Sequence, residues 1–394
     1  MRQNTIYLDH SATTPTHPAV VAAMAPYWNE KFGNPSSHHR TGYIAARTVS
    51  EARETVAAAL GTQPETIVFT GCGSESNNIA LRGAMTAARA NGRGNHLITS
   101  AIEHSAVLET ARQLRDYFGF ELTILPTDEF GCVRMVDVEV AIRPDTVLIS
   151  VMAANNEVGT IQPWAEIGEL ARSRGILFHT DAVQLMASRR WNLSEEPVDL
   201  MTVAPHKFYG PKGVGILVVR PGVELISSQS GGRHEGGLRA GTLNVPLIVG
   251  AAEALRLAVE KLDERTGHVL PLRDRLLAEL PAALPGLCRV TGHPSDRLPH
   301  HASFAFRGLS GNDLLIHLDV AGIAASSGSA CSSGDPKPSA VLQALGLGED
   351  WTTGGLRLTL GRQNTNEDVD FTVNALTEIV HKLAALEAGL SAAD

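Results

Sequence analysis

The sequence predicts an α/β fold, with a large domain built on a mostly parallel sheet flanked by helices and a smaller α+β domain joined to it. Three observations carry this prediction. Between residues 65 and 219, short apolar runs alternate with longer stretches of helical spacing, the pattern of strands connected by helices. Beyond Pro246 the texture changes to two long helical segments, then short strands and a closing helix. The length of 394 residues is also large for one core, so a main domain with a smaller companion is the natural division.

Taken in order, IYLDHSATTP opens with a short strand that ends at Asp9 and breaks at Pro15, and residues 19–28 have helical spacing. GNPSSHHRTG (33–42) is rich in turn formers and predicts a loop before a helix over 45–60. These first pieces read as an entry arm, whose first residues join the smaller domain. The alternating region supplies the strands TIVFT, HLITS, FELTILP, TVLISVM, GILFHTD, DLMTVAP and VGILVV, with a polar stretch between FELTILP and TVLISVM. Helices are expected over 246–262 and 271–280, strands at CRVTG and SFAFR, a helix from Asn312, a strand at GLRLTLG and a last helix over 367–388. The expected domains are 16–260 (large) and 1–15 with 261–394 (small).

A net charge of -9 leaves no basic footprint, so nucleic acid is not an expected partner. No apolar run approaches the ~20 residues of a membrane span. The start MRQNTIYLDHSATT lacks the basic-then-apolar pattern of a secretory signal, and a cytoplasmic location is expected. Cys72, Cys132, Cys288 and Cys331 are widely spaced with no CxxC pair, which indicates neither a metal site nor a disulfide framework.

In such sheets, ligands bind beyond the carboxyl ends of the strands. Polar clusters follow the apolar strands at 70–76, 103–104, 154–159, 180–184 and 206–207. PHKFYGPKGVG (205–215) sets His206 and Lys207 between two buried strands. A lysine there can lose its proton by desolvation and act as a nucleophile or form an imine; a strand-end lysine that snorkels to water is the competing reading.

FTGCGSESNN is a strand, a turn containing Gly73 and a helix start with Ser74 near the cap, which is either an anion cradle or an ordinary capped helix. It is no P-loop, because GxxxxGK[ST] is missing. Asp181 ends the strand of HTDAVQ. It either caps the next turn or keeps a cofactor ring nitrogen protonated, with Gln184 close by to bond a ring hydroxyl.

His104 in EHSAV offers a flat ring for stacking and proton transfer, or merely begins a helix. Asn155 in ANNEVGTIQP either donates to an oxyanion or carboxylate, or sits in a turn. Arg357, on the strand GLRLTLG, is a candidate carboxylate fork or a solvent-facing arginine. SGGRHEGGLRAGTLN, with Arg233, Arg239 and Thr242, admits a mobile loop, an anion contact or a subunit contact. AASSGSACSSG (324–334) sets Cys331 among small residues. A thiol there with an ordinary pKa near ~8.5 already has some thiolate at neutral pH, and a linker rarely spends a cysteine.

With these stretches assembled, the chain resembles the cysteine desulfurases of the iron–sulfur cluster and thiolation type. These belong to the class V aminotransferase group of pyridoxal phosphate enzymes of fold-type I. The matching motifs are YLDHSATTP, GNPSSHHRTG, FTGCGSESNN, EHSAV, ANNEVGTIQP, HTDAVQ, HKFYGPKG, EGGLRAGTLN, SSGSACSSG and LRLTLGR, in the family's order from Tyr7 to Arg362.

The resemblance implies pyridoxal 5'-phosphate as cofactor, L-cysteine as substrate, a sulfur-acceptor protein as partner and a homodimer. It implies that Lys207 holds the cofactor as a Schiff base and moves protons. Asp181 would pair its ring nitrogen, Gln184 contact its ring oxygen, and His104 stack on it. Gly73, Ser74, His206 and, from a neighbouring subunit, Thr242 would hold its phosphate. Asn155 and Arg357 would bind the substrate carboxylate, and Cys331 would take the sulfur as a persulfide and release alanine.

Some positions depart from the family pattern. Ala204 replaces a serine that helps bind the phosphate, Cys72 replaces a small residue and is expected to be inert packing, Ser74 stands for threonine, and Ala340 replaces a larger residue. A selenocysteine lyase would share every one of the site residues. An aminotransferase would give Cys331 no task, and a catalytically silent sulfur-relay scaffold would give Lys207 none.

Overall fold

The computed structural model describes residues 5–327 and 338–391. Cys331 falls outside them.

The chain begins with β1 (Ile6–Tyr7), α1 (Pro18–Met24) and α2 (Arg40–Leu60). The alternating region gives β2 (Ile67–Thr70), α3 (Gly73–Ala90), β3 (His96–Ser100), α4 (Ser105–Phe118), β4 (Glu121–Leu125) and α5 (Met135–Ala141). It continues through β5 (Thr146–Ser150), α6 (Trp164–Ser173), β6 (Leu177–Asp181), β7 (Leu200–Val203) and β8 (Gly215–Val219). These strands form one seven-stranded sheet in the order β2-β8-β7-β6-β5-β3-β4. The pairs β3–β4, β3–β5, β5–β6 and β6–β7 are parallel, while β8 runs antiparallel to both β7 and β2. The inner strands are buried on both faces, which is why they read as continuous apolar runs rather than alternating ones.

The remainder comprises α7 (Val245–Glu260), α8 (Leu262–Ala283), β9 (Cys288–Val290), β10 (His301–Phe306), α9 (Gly311–Val320) and β11 (Ile323–Ala324). Then come α10 (Ala340–Ala344), α11 (Glu349–Thr352), β12 (Gly355–Thr359) and α12 (Asn366–Ser391). A second sheet has the order β12-β10-β9, and β1 pairs in parallel with β11. Ile6 and Leu8 pack in the same apolar cluster as Leu276, Phe304, Leu358 and Leu376, separate from the cluster around Ile149, Phe178 and Met201.

Three elements differ from expectation. The helix α8 starts at Leu262, nine residues before Pro271, and runs through that proline. Val269, Leu272, Leu276 and Leu280 keep one buried face across it, and the carbonyl that Pro271 leaves without a partner belongs to Gly267, which is exposed to water. The polar stretch before β5 contains α5, which buries only Val138 and so carries almost no periodic signal. Finally, α2 begins at Arg40 inside the supposed loop, because the His39 ring accepts from the Gly42 N–H and caps it.

Candidate active site

The strand ends β6 and β7 and the start of α3 converge on a cavity of about 360 Å³. At the end of β6 lies Asp181, 5% exposed. Its Oδ2 accepts from Asn77 Nδ2 at 2.8 Å and its Oδ1 from the Val183 N–H at 3.0 Å. Asn77 stands on α3 one turn beyond Gly73, so the helix that opens onto the cavity also orients this carboxylate.

Cys72, not Ser74, caps α3: its Sγ accepts from the Glu75 N–H at 3.4 Å. Cys72 is exposed and lines the cavity, which corrects the expectation of inert packing: its Sγ caps the start of α3 instead of packing in a core. Gly73 and Ser74 line the cavity as the first residues of the helix, where main-chain amides have no partner within the helix. Space here is tight. A Cβ on Gly215 would lie 2.5 Å from the main chain of Cys72, and one on Gly73 would lie 3.3 Å from the Ala204 Cβ.

After β7 the chain turns through Pro205–Lys207. Lys207 Nζ donates to the carbonyls of Ser11 at 2.6 Å and Ala12 at 2.7 Å, and Gln184 Nε2 donates to the same Ser11 carbonyl at 3.0 Å. The amino-terminal arm thereby holds the lysine in place. His206 Nδ1 lies 3.1 Å from Thr13 Oγ1, and burial, with Lys207 and Lys212 nearby, pushes its pKa down to about 4, so the ring is neutral at physiological pH. His104 caps α4 by accepting from the Ala106 N–H at 3.1 Å and also lines the cavity. It begins a helix and lines the cavity at once.

The opposite wall carries Arg357 on β12, 6% exposed, and so not a solvent-facing arginine. Nη2 pairs with Asp9 Oδ1 at 2.7 Å and Nη1 donates to the Asn156 carbonyl at 2.9 Å. Its Nε is buried and has no partner among the described residues, which leaves one strong donor for a ligand.

Two further carboxyls stand close by. Glu103 is pushed up to about 8 by burial, with Asp181 nearby adding to the rise. Glu157 lines the cavity, accepts from Ser339 Oγ at 2.7 Å and is pushed up to about 7 by loss of water contact, against the pull of Arg357.

Of the residues singled out by sequence, Gly73, Ser74, His104, Asp181, Gln184, His206, Lys207 and Arg357 share this one cavity. Asn155 is not among the residues that line it. It is fully buried, donates to the Ile102 carbonyl, and accepts from the Glu157 and Val158 N–H groups. Its polar atoms are spent on shaping the loop, and Asn156 lines the cavity instead. Thr242 is exposed on the loop before α7 and does not line the cavity of its own chain.

Sequence reasoning missed Ser11, Asn77, Asn156, Glu157 and Ser326. Asn77 was findable from its one-turn spacing to Gly73, and Asn156 and Glu157 from the polar cluster at 154–159; Ser11 and Ser326 had no local signal.

Chemically, the cavity combines an amide-rich helix start, a buried carboxylate, an amine held in place and a guanidinium with a spare donor. The aminotransferase class-V family matches residues 6–371. A cysteine desulfurase IscS from Methanosarcina thermophila is 46% identical over 96% of this chain and 92% of its own length. Among solved structures, a NifS-like protein superposes with a TM-score of 0.89 at 37% identity, covering 96% of this chain and 100% of that one. SspA in complex with cysteine does so with a TM-score of 0.78 at 34% identity, covering 92% and 100%. The chain therefore belongs to the aminotransferase class-V family and, within it, to the cysteine desulfurases.

Proposed function

We propose that this protein is an L-cysteine desulfurase that works with pyridoxal 5'-phosphate, releases L-alanine, and passes sulfur through Cys331 to an acceptor protein. The observation that carries this reading is the gathering of Lys207, Asp181, the α3 start and Arg357 in one cavity. The residues present fit the cofactor. The helix start suits a phosphate, and a buried carboxylate suits a protonated ring nitrogen. Ala204 removes one hydroxyl from the phosphate end, a loss of about 1.5 to 3 kcal/mol at most. When bound, the cofactor supplies an electron sink that weakens the bonds at the substrate α-carbon.

The chain's own groups do the rest. Lys207 Nζ would hold the cofactor and move the α-proton. Asp181, kept in place by Asn77, would keep the ring nitrogen protonated. His104 would help hold the ring and assist proton transfer. Gln184 would hold the ring oxygen, and Ser74 and neutral His206 the phosphate. Arg357 binds the substrate carboxylate through its spare Nε donor.

The Cys331 thiolate attacks the substrate sulfur. A sulfur–sulfur bond forms, the carbon–sulfur bond breaks, and a proton replaces sulfur on carbon, so cysteine and thiol become alanine and persulfide. On this reading Thr242 serves the phosphate end of a second copy in a homodimer. Residues 16–260 form the large domain and 1–15 with 261–394 the small one, a division supported by the two apolar clusters. Cys72, Cys132 and Cys288 are free, in keeping with a reducing cytoplasm.

The test is mass spectrometry after incubation with L-cysteine. One added sulfur on Cys331 is expected, and Cys331→Ser should lose sulfide release while keeping the yellow colour of bound cofactor. An unmodified Cys331 during turnover, or normal sulfide release by the variant, refutes the persulfide role.

A further inference from the structure

Behind the Lys207 turn lies a second cavity, of about 260 Å³, that the reading above does not use. Its apolar floor is Phe208 with Ala254, Leu257 and Ala258 from one face of α7. Its rim carries three cations, Lys261, Arg265 and Arg362, beside His17 and His268, against a single carboxylate, Glu264; burial and the nearby cations lower the His17 pKa and keep that ring neutral. The other acids of this neighbourhood are engaged elsewhere, Asp263 with Arg190 at 2.8 Å, and Glu253 and Glu260 with Arg256 at 2.8 and 2.5 Å. Among the described residues, Lys261 and Arg362 have no ion-pair partner. Arg265 is half-buried and donates to the carbonyls of Ala187 and Ala258 rather than to an acid. Like charges gathered around a partly dry cavity repel, and an anion relieves them.

The same cavity touches the Lys207 turn. Tyr209, two residues on, has a φ of +65°, a region that is strained for a residue with a side chain. Its ring lies 5.5 Å from the Arg362 guanidinium, its hydroxyl accepts from the Arg362 N–H at 3.0 Å, and its carbonyl accepts from the His17 N–H at 2.9 Å. Two rim residues are therefore bonded to the strained turn. A smaller cavity of about 40 Å³ is lined by Tyr209 and Arg265 together with Lys207 and Gln184, so the two sites share walls.

We propose that the rear cavity binds a small organic anion, an acidic head on an apolar body, and that its occupancy is sensed at Lys207 through Phe208 and Tyr209. The head pairs with Lys261 and Arg362, and the body lies on the α7 face and the Tyr209 ring. A ligand that favours one arrangement of a strained turn shifts the population of that turn.

The test is calorimetric titration of the full chain with benzoate, phenyl phosphate, inorganic phosphate and benzyl alcohol. Benzoate or phenyl phosphate should bind saturably, on the order of a millimolar or tighter. The Lys261→Gln/Arg362→Gln double variant should bind at least tenfold more weakly. Inorganic phosphate lacks the body and benzyl alcohol the charge, so both should bind worse, and the preference between the first two probes separates a carboxylate from a phosphate ester.

Absence of saturable binding overturns the site, as does binding that the double variant leaves unchanged, the result if the probe sat at the α3 start. Equal binding of benzyl alcohol overturns the role of the charges. Coupling is read separately: a saturating probe should change KM for L-cysteine at least twofold in the wild type and not in the double variant. An unchanged KM overturns the coupling. That arm rests on the desulfurase reading, whereas the calorimetry stands without it.

Discussion

The two walls of the cleft are built differently. Asp181, Lys207 and the α3 start ride on strand ends of a seven-stranded sheet, and their relative positions follow from strand register. Arg357 sits on β12 of a three-stranded sheet, and its guanidinium is oriented by Asp9 and the Asn156 carbonyl. The first wall inherits its geometry from a buried, mostly parallel sheet. The second depends on bonds between segments far apart in the chain, so single substitutions there should change substrate binding without disturbing the sheet.

The largest effect should come from the first wall. Lys207→Ala removes the amine outright, and desulfurase turnover should fall on the order of 10³-fold or more, with loss of the yellow colour in the absorbance spectrum. Turnover within tenfold of wild type would remove Lys207 from its role. On the second wall, Arg357→Gln should raise KM for L-cysteine about tenfold to a hundredfold, the range of one charge-assisted bond, with the cofactor spectrum unchanged; steady-state kinetics decide it. Asp9→Asn keeps the guanidinium but loosens its aim, so a smaller rise in KM, about threefold to tenfold, is expected from the weakened ion pair. Equal effects of Asp9→Asn and Lys207→Ala on kcat would break the contrast between the walls.

The smallest effect is one of stability. The pKa of Glu103 is raised by burial to about 8, so across this window the folded state binds more protons than the unfolded state. Stability therefore falls as pH rises from the usual carboxyl range, near ~4.5, through about 8, and levels off above it. Glu103→Gln carries no ionisable proton. Its denaturation midpoint should show less of this decline, and the gap to wild type should widen with pH by about 1.4 kcal/mol at most per unit. Parallel pH profiles would show that Glu103 is not the titrating group.

Much of the first wall was legible in the chain. Asp181, His206 and Lys207 each follow an apolar run directly, so strand periodicity alone placed them on one edge. Asn155 and Asn156 look alike in sequence. Only the folded loop decides which one spends its amide on Ile102, Glu157 and Val158 and which one faces the cavity. Cys72 was misjudged because a small residue in a tight turn reads as packing, whereas here its Sγ caps α3. The helix through Pro271 was hidden by a strong local breaker, overridden by the buried apolar face that continues past it.

By itself the sequence determined the strand-and-helix alternation, the polar clusters at the strand ends and the candidate chemistry of Lys207, Asp181 and Cys331. These follow from local periodicity and residue type, which need no partner elsewhere in the chain. Only the tertiary structure decided that Ser11 and Ala12 hold Lys207, that Asp9 aims Arg357, and that three cations and two histidines surround a cavity behind Tyr209. Those arrangements depend on contacts between distant segments, and no local pattern encodes a distance that only closure of the chain creates.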